Sequence, residues 1–170
     1  MSSLPYLAGY PANIIAQVET LIREGRLQES LLRKFPQPHT ITSDKRLYDF
    51  AIALKNRFLR NTPPLQSVRY DPKVHPLQSA LGAHHIIPKQ QGTRTKIRRE
   101  IRIAPVFKVA PLEALQMVVV HELAHLKEKG HDKPFYQLCQ HIAPDYAQWE
   151  FDTRLYLTAL DLFGPLYTDV

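Results

Sequence analysis

Cysteine is nearly absent from this chain: of 170 residues only Cys139 carries a thiol. No internal disulfide can form and a cluster of cysteine ligands is excluded, so any metal must be held by histidine and carboxylate side chains. Long hydrophobic runs are missing as well. No window approaches the roughly 18 consecutive apolar residues of a membrane span, and the opening MSSLPYLAGYP lacks the basic start and apolar stretch of an export signal. These absences predict a soluble, cytoplasmic protein with no membrane partner. Acids are outnumbered, 16 against 22 lysines and arginines, for a formal net charge of +6. That surplus favours anionic partners such as nucleotides or nucleic acid without identifying one. Internal repeats and low-complexity segments are also lacking.

What is present suits one globular domain over residues 1–170, with 44% hydrophobic and 22% charged residues. From Ala12 to Phe35 apolar residues recur at helical spacing, with Gly25 as a break between two helices. A further helix opens at Ser43 or Asp44 as N-cap and stops before Asn61 to Pro64. The helical part thus covers about 11–61. Between about 65 and 105, Val68 to Tyr70, Leu77 to Ile87 and Arg94 to Ala104 read as strands of a small, mainly antiparallel sheet. In the last of these, Ile97, Ile101 and Ile103 share one face, and Lys96, Arg98, Glu100 and Arg102 share the other, polar one; Arg99 is the exception to the pattern. Helices return over 112–163: Leu112 to Lys129, ended by Gly130 in a left-handed position, then about Lys133 to Ile142 and Ala147 to Leu162. The fold class is α+β.

The chemistry is concentrated in HELAHLKEKGH. His121 and His125 are four apart, one turn of helix, and so share a face close enough to grip one ion. Glu122, beside the first ligand, is placed to reach a water at the metal rather than the metal itself. A metal that acidifies this water and a carboxylate that takes its proton together imply hydrolysis. The run MVVV before the motif and Leu123, Ala124 and Leu126 within it predict a buried helix, where two imidazoles and a carboxylate are costly unless something polar or metallic compensates them. A third ligand is needed. His131, just past Gly130, is the preferred choice, with Glu150 or Asp152 as the competing one. Glu128 stands where the long motif H-E-x-x-H-x-x-G-x-x-H has glycine, so this is not a standard metzincin.

The stretch VVVHELAHLKEKGHDKPFYQLCQHIAPDY resembles the signature of the YgjP-like metallopeptidase domain family of predicted metal-dependent hydrolases. Its elements here are His121 to His125, His131, the pair Phe135 and Tyr136, and Pro144 to Tyr146. The resemblance is strongest over residues 100–160, and FLRNTPP resembles the YgjP branch in particular. It implies a minimal zincin-like fold shared with SprT-like and WLM proteases, Zn2+ (or another divalent metal) held by His121, His125 and His131, and Glu122 as general base. Where many relatives carry an R-W-G-S-C-like segment this chain has ALGAHH at 80–85, so nothing is carried over from it.

Other residues have two readings. Lys89, Arg94, Lys96, Arg98, Arg99 and Arg102 either clamp phosphates or nucleic acid, with Arg98 and Arg102 as substrate-binding candidates, or keep an exposed edge strand from aggregating. Tyr136 either polarises a substrate oxygen or is core, and His84, His85 and His141 read mainly as structural. Glu150, Asp152 and Arg154 offer an ion pair or support for a ligand imidazole. The leading expectation is a zinc metallopeptidase acting on an extended peptide. The alternative is a nucleoside triphosphate pyrophosphatase of the UTP-cleaving kind implied by the family resemblance. A non-catalytic nucleic-acid-binding module is a third reading, which Glu122 argues against, since a structural site has no use for a base.

Overall fold

The computed structural model describes residues 4–76, 82–91 and 94–168. After a 3-10 turn at Pro5–Leu7, two short helices follow, α1 (Ala12–Arg23) and α2 (Leu27–Lys34). They are separated as the sequence predicts, because Gly25 takes φ +66°, a conformation that costs a glycine little. Helix α3 (Asp44–Phe58) starts where Ser43 Oγ accepts the backbone N–H of Arg46 at 3.2 Å. The second half holds α4 (Leu112–Ala124), α5 (Lys133–Ile142) and α6 (Tyr146–Phe163). Of these α4 is the central element. Leu115 and the run from Met117 to Ala124 are all buried, the signature of a helix surrounded by its own protein.

Strands β1 (Ser67–Tyr70), β2 (Gly82–Gln91) and β3 (Arg94–Ile103) form a sheet in the order β1-β3-β2. The long pair β2–β3 is antiparallel, as expected, while short β1 runs parallel to β3, so the sheet is mixed. Helix α3 packs on β1, and the parallel pairing of β1 with β3 means that β1 is not part of a simple meander. Pro88, which has no N–H to give a ladder, is tolerated because β2 lies at the edge. Val68, Tyr70, Ile101 and Ile103 share the inner face and the core with α4. No helix among the described residues is long and apolar enough to cross a membrane.

The opposite face of β3 differs from a plain solvated one. Glu100 is only 6% exposed, covered by Arg98 (Nε–Oε1 3.0 Å) and Arg102 (Nη2–Oε2 3.2 Å). Arg102 also reaches buried Asp71 (3.4 Å), which Arg69 approaches at 3.5 Å. Charges placed on one face at two-residue spacing have paired with one another instead of facing water. The predicted strand segment 77–81 and the side chains of His84, His85, Lys89, Arg94 and Lys96 lie outside the described residues.

The segment leading into α4 is latched by the loop between α2 and α3. His39 Nε2–H donates to the carbonyl of Phe107 at 2.6 Å, and its Nδ1 accepts the N–H of Ile41 at 2.9 Å. Only the neutral ring can do both, and burial lowers the His39 pKa below its usual 6.5. The latch is therefore intact above about pH 6.5 and is lost as the pH falls through the lowered value. His39→Gln is expected to be less stable than the parent at pH 7.5, with the gap narrowing at pH 5; thermal melts at both pH values check this, and a constant gap would refute it.

Candidate metal centre

Helix α4 delivers His121 and Glu122 from its last turn, and His125 follows as its C-cap residue. The helix ends five residues earlier than the sequence predicts. The cause lies in local bonding: the backbone N–H groups of Leu126 and Lys127 turn back to Leu123 and Ala124, and His125 Nδ1–H donates to the Glu128 carbonyl at 2.9 Å. Gly130 is not left-handed either; positive φ among the described glycines occurs at Gly9, Gly25 and Gly164. The turn that returns His131 is fixed by His125 and by Asp132, whose carboxylate accepts the N–H of Phe135 at 3.2 Å and caps α5. A Cβ at Gly130 would meet Asp132 Oδ2 at an ordinary 3.5 Å. Gly130→Ala is accordingly expected to bind metal normally and to gain up to about 1 kcal/mol of stability. Metal content and a denaturant titration check this, and loss of the metal would contradict it.

The three imidazoles meet. His131 Nε2 lies 3.0 Å from His125 Nε2 and 3.1 Å from His121 Nε2. The ring centroids stand 4.8–5.0 Å apart pairwise. His125 has committed its Nδ1–H to a carbonyl, so its Nε2 presents a lone pair. One ring N–H on His131 cannot serve both of its contacts, and at least one pair of nitrogens is left opposed, a cost that a cation at the centre removes. Three nitrogens about 2.05 Å from one tetrahedral ion would be about 3.3 Å apart, close to the spacing here. Burial, then the neighbouring histidines and Arg154, push His121 down to about 3, and burial also lowers His125, so these rings are neutral, as ligands must be. The donor set therefore fits a divalent metal, and no other group of three such side chains converges among the described residues.

The support around the centre is more specific than the sequence suggested. Tyr146 Oη lies 2.8 Å from His121 Nδ1, where it fixes the ring so that Nε2 faces the centre. Phe135, fully buried, packs against all three imidazoles with centroids at 4.6–5.1 Å and forms an apolar floor. The P-D-Y and aromatic elements of the sequence marked both residues without revealing these contacts. Glu122 is 2% exposed and makes no hydrogen bond or ion pair with any described residue; burial pushes its carboxyl up to about 8.

The competing ligands are engaged elsewhere. Asp152 is held by Lys34 at 2.7 Å and Gln148 at 3.0 Å, and Glu150 pairs with Arg154 at 3.3 Å. Arg98 and Arg102, the candidate substrate contacts, sit in the Glu100–Asp71 network on the sheet face away from α4 and are not brought to the triad. Tyr136, by contrast, is 38% exposed and lies beside the centre, its ring 5.2 Å from Phe135 and 6.4 Å from Tyr146. His141 is exposed and packs edge-on against Phe58.

Comparison with known proteins identifies the family. The family model described as YgjP-like, metallopeptidase domain, matches residues 90–153. A protein of Escherichia coli (strain K12) named UTP pyrophosphatase is 53% identical over 162 residues, covering 95% of this chain and 97% of that protein. No solved structure gives a significant match. With a relative this similar from end to end, and with three imidazoles converging inside the matched stretch, the chain belongs to the YgjP-like metallopeptidase-domain family and is a metal-dependent hydrolase.

Proposed function

We propose that this enzyme hydrolyses a nucleoside triphosphate, UTP in the first instance, to the monophosphate and pyrophosphate at a zinc ion held by His121, His125 and His131. The observation that carries the reading is the near end-to-end similarity, at 53% identity, to a protein named UTP pyrophosphatase. Three nitrogen donors, with no fourth protein ligand among the described residues, suit a catalytic rather than a structural zinc. Bound there, the ion supplies Lewis-acid chemistry, acidifying water and offsetting charge on a phosphate oxygen.

The remaining roles fall to the chain. Glu122 takes a proton from the attacking water and passes it to the departing phosphate oxygen. The water oxygen bonds to phosphorus, the bridging P–O bond between the α- and β-phosphates breaks, and pyrophosphate leaves. Tyr146 keeps His121 oriented, and the Phe135 floor keeps bulk water from the inner side of the imidazoles.

Peptide hydrolysis is the second reading, favoured by the metallopeptidase description of the matched domain and by the outer edge of β2, which pairs with no other described strand. Product analysis separates the two. Metal-loaded enzyme incubated with UTP is expected to give UMP and pyrophosphate in equal amounts and to leave an unstructured protein uncut. Proteolysis without nucleotide turnover would overturn the proposal, and UDP with orthophosphate would overturn the assigned bond.

A further inference from the structure

One cluster of chemistry-bearing side chains adjoins the triad and has no part in holding metal. On α6, Arg154 donates to the carbonyl of Tyr6 at 3.0 Å and pairs with Glu150 one turn earlier at 3.3 Å. These contacts pin the N-terminal segment to α6, and the Tyr10 ring settles 5.4 Å from Phe151. The charges of Glu150 and Arg154 act on the phenols of both Tyr10 and Tyr136, and Arg154 acts on His121. Tyr10, Tyr136, Glu150 and Arg154 thus occupy one neighbourhood on the Tyr146 side of the metal ligands.

We infer that this cluster is the nucleoside-binding half of the active site, with the Tyr136 ring as a stacking face for the base and the Glu150 carboxylate as an acceptor for ribose hydroxyls. The inference rests on the nucleoside triphosphate reading above. Charge decides between the two halves of such a substrate. Arg154 is matched by Glu150, and the tyrosines are neutral, so the cluster carries no net charge and includes a carboxylate, a poor surface for a polyphosphate. A flat uncharged ring bearing hydroxyl groups suits it. Tyr136 keeps over a third of its surface open although it packs against Phe135, which leaves ring area for a base. Tyr10 lies outside the matched stretch 90–153, so the inference brings the N-terminal segment into the choice of substrate.

The test reads binding without turnover. Uridine 5'-monophosphate and inorganic pyrophosphate are titrated separately into the metal-loaded parent, Tyr10→Ala and Tyr136→Ala, by calorimetry. The expected result is a loss of UMP affinity of about tenfold for Tyr136→Ala, the usual range for a lost base–aromatic stack, and a smaller loss for Tyr10→Ala. Pyrophosphate affinity should stay within about twofold in both, and Tyr136→Phe should restore most of the UMP affinity, because it keeps the ring. Unchanged UMP affinity, an equal loss for both ligands, or no UMP binding by the parent would each overturn the inference. Failure of the parent to turn over UTP while it binds UMP would instead count against the proposed reaction.

Discussion

Glu122→Gln is expected to lower kcat by about 10²- to 10⁴-fold, the range for losing a positioned general base, while the metal stays bound. The side chain is nearly isosteric, and Glu122 lies outside the group of three converging nitrogens, so the ion has no reason to leave. Folding should not suffer. The side chain is buried without a described partner, and a neutral amide of nearly the same shape costs no more to bury than the carboxyl group it replaces. Metal analysis, a thermal melt and steady-state kinetics on the same sample separate the possibilities. A variant that keeps its metal, melts like the parent and still turns over within threefold would remove Glu122 from the mechanism.

His131→Ala is expected to produce the other large effect, loss of the metal itself. Altering a residue that merely supports a ligand costs about 10- to 100-fold in metal affinity, and removing one of three ligands should cost at least the upper value. His131 is exposed and lies in a turn, so the core does not depend on it. Asp152→Asn is the matching control, because it removes the rival ligand proposed from sequence. It should loosen the link to Lys34 and lower stability while leaving metal affinity in place. Competition against a chromophoric chelator measures both, and the reverse ranking would transfer the third ligand position to Asp152.

Much of this centre was legible because the chemistry is local. The spacing of His121 and His125 on a helix fixes their shared face whatever the rest of the chain does, and Ser43, Gly25 and the alternation at Ile101 and Ile103 announce themselves within a few residues. The end of α4 was not legible. Gly130 looked like the stop signal, yet the helix ended at Ala124, where the His125 ring takes up the Glu128 carbonyl, a competition that no propensity describes. The ion pairs of Arg98 and Arg102 were not legible for a related reason. Periodicity assigns residues to a face but does not say what covers that face, and Asp71, brought in by parallel β1, came from over thirty residues away. The contact of Tyr146 with His121 and the docking of the N-terminal segment on α6 also join residues far apart in sequence.

The central claim is that one divalent ion in the three-histidine centre makes this chain an enzyme. It is tested most directly by stripping the protein with a chelator, restoring zinc in sub-stoichiometric steps, and following pyrophosphate release from UTP. Activity should be absent in the stripped protein, rise linearly with added zinc and saturate at one ion per chain, with no recovery in His131→Ala at the same additions. Full turnover by metal-free protein, or recovery unaffected by the loss of His131, would contradict it.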